Sequence, residues 1–228
     1  MDDTGAPGYA VARAGGKMTR ESSSVSSFPR PAQPLILYEF EGCPFCKRVR
    51  EAAVHFDLDI IFYPCPRDGP NFRPAANAEG GQKQFPWFKD PNTGVAMYES
   101  AAIVKYMADT YGDGVIPGGL AWPVAPLLIG LGLLPRMGRG SKYRPSRASG
   151  ATQPLTLWAY EASPFCKVVR EVLCELEIPH LLKTAARGSP KRDELFAKTG
   201  LFQARGCEWV SQQRCEALRD HSLACARR

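Results

Sequence analysis

Two stretches of the chain are near copies of each other, and this constrains the fold more than any other feature of the sequence. Residues 41–51 read E-G-C-P-F-C-K-R-V-R-E and residues 161–171 read E-A-S-P-F-C-K-V-V-R-E. Eight of the eleven aligned positions are identical, at a constant offset of 120 (163 − 43). Each stretch follows a short apolar run of strand character and opens a segment with helical spacing, so the chain is expected to build the same strand–helix unit twice. The copies are unequal. Cys43 and Cys46 flank Pro44-Phe45 in the first; the second has Ser163 in place of Cys43 and keeps Cys166.

Around these copies the chain divides into five parts. Residues 1–33 are rich in Gly, Ala, Ser and Arg without apolar periodicity and are expected to be disordered or a targeting arm. The Ser/Arg-rich part from Arg20 to Arg30 is of transit-peptide type, although Asp2 and Asp3 depart from that pattern. Residues 34–111 predict the order β-α-β-α-β-β-α. Leu35 to Phe40 form a strand, residues 44–56 a helix with Pro44 in its first turn, and Asp59 to Tyr63 a second strand. A weak helix around 70–79 follows. A hairpin then turns at Asp90-Pro91-Asn92-Thr93-Gly94, and a helix capped by Ser100 runs to Tyr111. Residues 112–153 read as a Gly/Pro-rich linker. Residues 154–203 repeat the first strand, helix, strand and helix, with Arg187…Pro190 matching Arg67…Pro70, and the match stops after Gln203. Residues 204–228 form an aberrant Arg/Cys-rich tail that lacks a second hairpin and last helix; an alternative splice or mispredicted gene model would account for it.

Composition narrows the function classes. A chain of 228 residues with 44% hydrophobic residues can bury a core in one or two domains. The net charge of +6 is spread out, with no basic run interleaved with aromatics, so nucleic acid is not expected as a partner. Eight cysteines could suggest a secreted disulfide framework, but no apolar signal-peptide core opens the chain and the motif cysteines sit at helix starts; a reducing compartment is expected. The apolar run from Leu120 to Leu134 is short for a membrane span and holds two prolines. Packing against a domain is the favoured reading, with peripheral membrane contact as the alternative.

The chemistry centres on Cys43. A helix N-terminus carries unpaired N–H groups and partial positive charge, which favours thiolate over thiol. Cys46, nearly one turn on, is placed to resolve a mixed disulfide, and Lys47 adds positive charge. Structural zinc is the competing reading, but it wants four ligands and only one C-x-x-C pair exists, so no metal is expected. Phe85-Pro86 is a candidate cis peptide bond that would present the Phe85 backbone to an extended peptide; an ordinary trans proline at a strand edge is the alternative. Ser100 and the free N–H groups beside it, following Glu99, suit a carboxylate or serve only as a cap. Cys65 reads as a small semi-buried residue, with a peroxide-sensitive thiol as the minority reading.

Together these residues resemble the thioredoxin-like superfamily, and specifically the glutaredoxin-like N-terminal domain of glutathione S-transferases. Cys43-Pro44-Phe45-Cys46 resembles the glutaredoxin and omega-class motif, Phe85-Pro86 the family's cis-proline, and Glu99-Ser100 the motif that binds the γ-glutamyl end of glutathione. The resemblance covers residues 34–111 fully and 154–203 in part. It implies an α/β thioredoxin-like fold in the first copy, a partial second copy, and glutathione as co-substrate. Cys43 and Cys46 would be catalytic, and Phe85, Pro86, Glu99 and Ser100 would bind glutathione. The implied activity is glutathione-linked thiol–disulfide exchange on a protein or small-molecule disulfide. Alternatives are a glutathione- or partner-binding module without turnover and, third, a glutathione-ligated iron–sulfur carrier. The tandem arrangement resembles a plant and algal plastid group, which implies a chloroplast location, with the cytoplasm as the alternative. The helical C-terminal domain of true transferases has no counterpart in the sequence. Ser163 and Cys166 are expected to form an inactive second motif.

Overall fold

The structure, a computed structural model, describes residues 27–121, 138–144, 154–161, 163–186, 189–199 and 207–208. The first half runs β1 (Leu35–Glu39), α1 (Pro44–His55), β2 (Ile60–Pro64), α2 (Phe72–Gly80), β3 (Trp87–Asp90), β4 (Val95–Met97) and α3 (Ser100–Tyr111), the expected β-α-β-α-β-β-α order. A one-turn α4 (Gly118–Ala121) follows. The second half holds β5 (Leu155–Ala159), α5 (Pro164–Glu175), β6 (His180–Thr184), α6 (Pro190–Thr199) and the two-residue β7 (Cys207–Glu208).

Burial alternates along β1, so Leu35 and Leu37 face the core beneath α1 and α3. Val49, Ala52, Ala53 and Phe56 from α1 meet Ile103, Val104 and Met107 from α3 in that core, all with no measurable exposure. Each large aliphatic or aromatic side chain buried there contributes roughly 1.5–3 kcal/mol.

All seven strands join one sheet, in the order β4-β3-β1-β2-β6-β5-β7. The seam between the halves is an antiparallel pairing of β2 and β6, with Ile60 opposite Leu182, Ile61 opposite Leu181 and Phe62 opposite His180. At an offset of 120, Ile61 corresponds to Leu181, so a local twofold axis passes between them. The neighbours obey the same axis: β1 is parallel to β2, as β5 is to β6. An interface of this kind puts the same patch of both partners against itself.

Charged side chains occupy that patch, on the inner side of α1 and α5. Arg50 and Arg170, counterparts at the 120 offset, are fully buried. Arg50 bonds Glu39, and its Nε donates to Glu161 Oε2 at 3.1 Å across the seam. Arg170 returns the contact: its Nε donates to Glu41 Oε2 at 3.1 Å, and its Nη2 lies 2.9 Å from Glu161 Oε2. Three carboxylates thus surround two guanidiniums, and Glu39 is the one whose affinity for a proton rises. Burial, aided by Glu41 and Glu161 against the pull of Arg50 and Arg170, lifts its pKa to about 7. The counterpart of Glu39 is Ala159, and Arg170 Nη1 is left buried without a hydrogen-bond partner.

A second reciprocal contact involves Asp57 and Glu177, also 120 apart, each with positive φ after its helix (52° and 49°). Glu177 reaches the N-terminus of α2, accepting from the Asn71 and Phe72 backbone N–H groups at 3.1 and 3.3 Å. Asp57 reaches the start of α6, accepting from Ser189 Oγ at 3.0 Å and Thr184 Oγ1 at 2.6 Å. Each half therefore places an anion at the positive end of the other's second helix. The size difference is compensated. A Cβ on Gly69 would lie 2.4 Å from Glu177 Oε1, so glycine makes room for the longer acid. Its counterpart Ser189 extends toward the shorter one.

Several expectations are corrected. Ser100 does not cap α3: Glu99 occupies that position, without a capping side-chain bond. Residues 27–33, expected to be structureless, pack onto the domain: Phe28 meets Phe56 with ring centroids 6.1 Å apart, and Arg30 donates to the Phe56 and Asp57 carbonyls. The rest of the arm, residues 1–26, lies outside the described residues. Within the expected linker, Gly138–Arg144 forms a strap bound to both halves. Most of the apolar run, residues 122–134, lies outside the described residues; among those described, no helix is long and apolar enough to cross a membrane. Within the expected tail, Cys207–Glu208 adds to β5 antiparallel, as β3 adds to β1.

Two measurements test this packing. Glu161→Ala leaves both arginines short of an anion and should cost about 3–5 kcal/mol of stability in urea unfolding. For Glu39, the folded pKa exceeds the unfolded one, so the folded chain binds the extra proton and stability falls as pH rises from about 4.5 to about 7. Glu39→Gln should flatten that fall, worth on the order of 2 kcal/mol between pH 5 and pH 8.

Candidate active site at the Cys43 helix

Cys43 is the N-cap of α1, with φ −88° and ψ 122°, and its Sγ accepts from the Cys46 backbone N–H at 3.3 Å. A sulfur in this place does what a capping hydroxyl does: it satisfies one of the orphan N–H groups of the first turn. Pro44 takes the first helical position, where no N–H is needed. The Cys43 pKa is lowered, chiefly by the Cys46 side chain donating to it and next, against the cost of burial, by the Cys46 and Phe45 backbone N–H groups. Cys46 is pushed far the other way, by burial first and then by its bond to Cys43. The pair is polarised: Cys43 is the more acidic of the two, and Cys46 is the thiol that donates to it. Beside them Phe45 is half exposed.

The Phe85-Pro86 peptide is cis. Phe85 lies in one buried cluster with Cys43, Cys46 and Cys65, so β3 brings this bend to the Cys43 helix. Gln84, next in sequence, donates to Glu99 Oε1 at 2.5 Å and ties the bend to the start of α3. Glu99 is exposed and has φ 68° and ψ 106°, a conformation that ordinary L-residues avoid, while Ser100 beside it is buried. Cys65 is fully buried, more than the sequence suggested, and burial raises its pKa strongly.

A cleft of about 430 Å³ opens beside the Cys43 loop. Phe40, Gly42 and Phe85 form its base, and Arg67, Arg73 and Lys83 bring three cations to it. Arg73 lies over the Phe85 ring at 4.7 Å, with its Nε donating to the Pro66 carbonyl at 2.9 Å. No acidic side chain lines the cleft, and neither Arg67 nor Lys83 has an ion-pair partner among the described residues. Sequence reading missed these cations because they come from three separate loops and helices. Among the described residues, no group of three or more His, Cys, Asp or Glu is arranged to hold a metal.

The second motif repeats the geometry without the nucleophile. Ser163 caps α5 with φ −80° and ψ 119°, and its Oγ accepts from the Cys166 N–H at 3.3 Å. Hydroxyl replaces thiol in an unchanged frame. Arg205 and Gly206 precede β7 where Pro86 precedes β3.

Residues 37–114 match the family described as Glutathione S-transferase, N-terminal domain. The match runs from within β1 to just past α3, the β-α-β-α-β-β-α unit of the first half. Among solved structures, the glutathione transferase BmGSTD1 of Bombyx mori is similar, with 29% identity over 37% of this chain and 38% of that one and a TM-score of 0.32. The chain thus spans well under half the length of that relative. No curated protein matches.

Alkylation by iodoacetamide should follow a pH profile for Cys43 with its midpoint below the ~8.5 of a free cysteine. Cys46→Ala removes the donating thiol but keeps the backbone N–H, and should move that midpoint upward. An unchanged midpoint in that variant would show that the Cys46 side chain does not polarise the pair.

Proposed function

We propose that the chain is a glutathione-linked thiol–disulfide oxidoreductase acting through Cys43. The observation that carries this reading is Cys43 at the N-cap of α1, its Sγ accepting from the Cys46 N–H at 3.3 Å; a lowered Cys43 against a raised Cys46 agrees with it. The family match of residues 37–114 supports glutathione as the thiol partner.

The exchange balances without any further oxidant. The Cys43 thiolate attacks one sulfur of a glutathione mixed disulfide; the S–S bond breaks, and the substrate thiolate leaves and takes a proton from solvent. Glutathione is now bonded to Cys43. A second glutathione thiolate attacks that bond and releases oxidised glutathione and the Cys43 thiolate. Cys46 offers an internal route: once it gives up its proton, its sulfur displaces glutathione and leaves a Cys43–Cys46 disulfide, which two glutathione molecules then reduce. The high pKa of Cys46 favours the first route.

Phe85 is proposed to pair its backbone with the glutathione peptide beside cis-Pro86, and the start of α3 at Glu99 and Ser100 to hold the γ-glutamyl end. Arg67, Arg73 and Lys83 supply positive charge for a carboxylate at the other end. The second half has no nucleophile at Ser163; it serves as a fused partner lobe that fixes the Cys43 helix through Glu161, which contacts both Lys47 and Arg50.

A glutathione-dependent disulfide reduction assay tests the reading. Wild type should turn over, Cys43→Ser should fall to background, and Cys46→Ser should keep most of the activity. Glutathione binding in an inactive wild type would instead favour a binding module without turnover, a reading that the burial of Cys43 (4% exposed) also fits.

A further inference from the structure

The strap Gly138–Arg144 lies in a segment expected to be a simple linker, outside the matched residues 37–114. It is fastened at several points. The Arg67 N–H donates to the Ser141 carbonyl at 2.8 Å, and the Tyr143 N–H donates back to the Arg67 carbonyl at 2.9 Å, which makes a parallel bridge beside the cleft. On the other side the Gly140 N–H donates to Glu175 Oε1 at 3.0 Å, and Arg144 pairs with the same carboxylate at 3.0 Å. The strap therefore joins the Cys43 half to α5 of the second half.

Its position against the Cys43 loop is specific. The Gly42 N–H donates to the Gly140 carbonyl at 3.4 Å. A Cβ built on Gly42 would lie 1.8 Å from Ser141 Oγ, so glycine at that position leaves room for the Ser141 hydroxyl in this orientation. The residue at the corresponding place in the second motif is Ala162. Ser141 itself is partly exposed, lines the cleft together with Arg73 and Lys83, and has no hydrogen-bonded partner on its hydroxyl among the described residues.

We propose that Ser141 is a substrate-contacting, specificity-determining residue of the cleft beside the Cys43 loop, its hydroxyl donating to a carboxylate of a small acidic thiol or disulfide held there by Arg67, Arg73 and Lys83. The strap is a wall that the linker adds to the site. Five bonds fix the strap that carries this hydroxyl, so little backbone freedom is lost on binding, and the three cations set the sign of the ligand. The inference deepens the glutathione-linked reading and rests on it for the identity of the thiol.

The test uses the full chain with Ser141→Ala, which removes the donor, and Ser141→Phe, which fills the cleft. With glutathione as reductant and a small neutral disulfide as substrate, the first should raise the glutathione KM about three- to tenfold with kcat within twofold, and the second should raise KM more than tenfold. With cysteamine, a thiol without a carboxylate, Ser141→Ala should leave KM unchanged. The rate and pH midpoint of Cys43 alkylation by iodoacetamide should be the same in all three proteins, which shows that the helix is intact. An unchanged glutathione KM in both variants, or an equal rise for cysteamine in Ser141→Ala, would overturn the proposal. Should wild type show no turnover, the proposed oxidoreductase function fails, and calorimetric binding of S-methylglutathione then decides on Ser141. Weaker binding in both variants supports the contact; equal binding in all three, or none in wild type, overturns it.

Discussion

The structure depends on a buried cluster of charge. Arg50 and Arg170 sit with Glu39, Glu41 and Glu161 at the join of the two halves, all nearly or fully excluded from water. Burying such ions is costly unless each finds partners, and the partners come from both halves: Glu161 serves Arg50, and Glu41 serves Arg170. Each arginine draws on both halves: Arg50 pairs with Glu39 in its own half and Glu161 across the seam, and Arg170 with Glu161 in its own and Glu41 across it. The seam of β2 and β6 and the reciprocal reach of Asp57 and Glu177 follow the same twofold logic. This arrangement makes the second half part of the frame around Cys43, because the arginine that needs Glu161 lies one turn after Cys46 on the same helix.

The twofold relation is broken at a few positions, and those positions decide where chemistry can occur. Ser163 stands for Cys43 in an identical capping geometry, so one frame holds a nucleophile and the other does not. Ala159 stands for Glu39, so the proton with a pKa of about 7 belongs to the first half, and Arg170 keeps one nitrogen unpaired in the second. Gly42 meets the strap through its N–H bond to the Gly140 carbonyl. The sheet and helices of the shared core are common to both halves; the differences gather around the ends of β1 and the start of α1.

Much of this was legible in the sequence. Strand and helix positions in residues 34–111 could be read because β1 alternates and α1 carries its apolar residues at helical spacing. The place of Cys43 at a helix start could be read from Pro44, and Phe85-Pro86 as a candidate cis bond; that the bond is cis and that the Cys43 sulfur caps the helix came from the structure. Other features were hidden. Glu41, Arg50, Glu161 and Arg170 were visible as identities between the two copies, yet nothing local to either copy says that they pair across a seam. Ser100 matched a capping pattern, but Glu99 at φ 68° takes the cap, a backbone conformation that no local pattern in the sequence announces. The strap read as linker because glycine-rich composition records freedom in the unfolded chain and not the bonds available once Arg67 and Glu175 are in place.

The sequence by itself determined the repeated strand–helix unit and the single dithiol. Both rest on short-range rules: side-chain periodicity, proline at a helix start, and sulfur at a helix N-terminus. The tertiary structure alone decided that the two halves share one sheet, that their charges exchange partners, and that Ser141 comes to rest against Gly42 beside a cationic cleft. Those outcomes depend on distances between residues about 100 or more positions apart, and such distances are set by packing and by the demand that buried charge be paired.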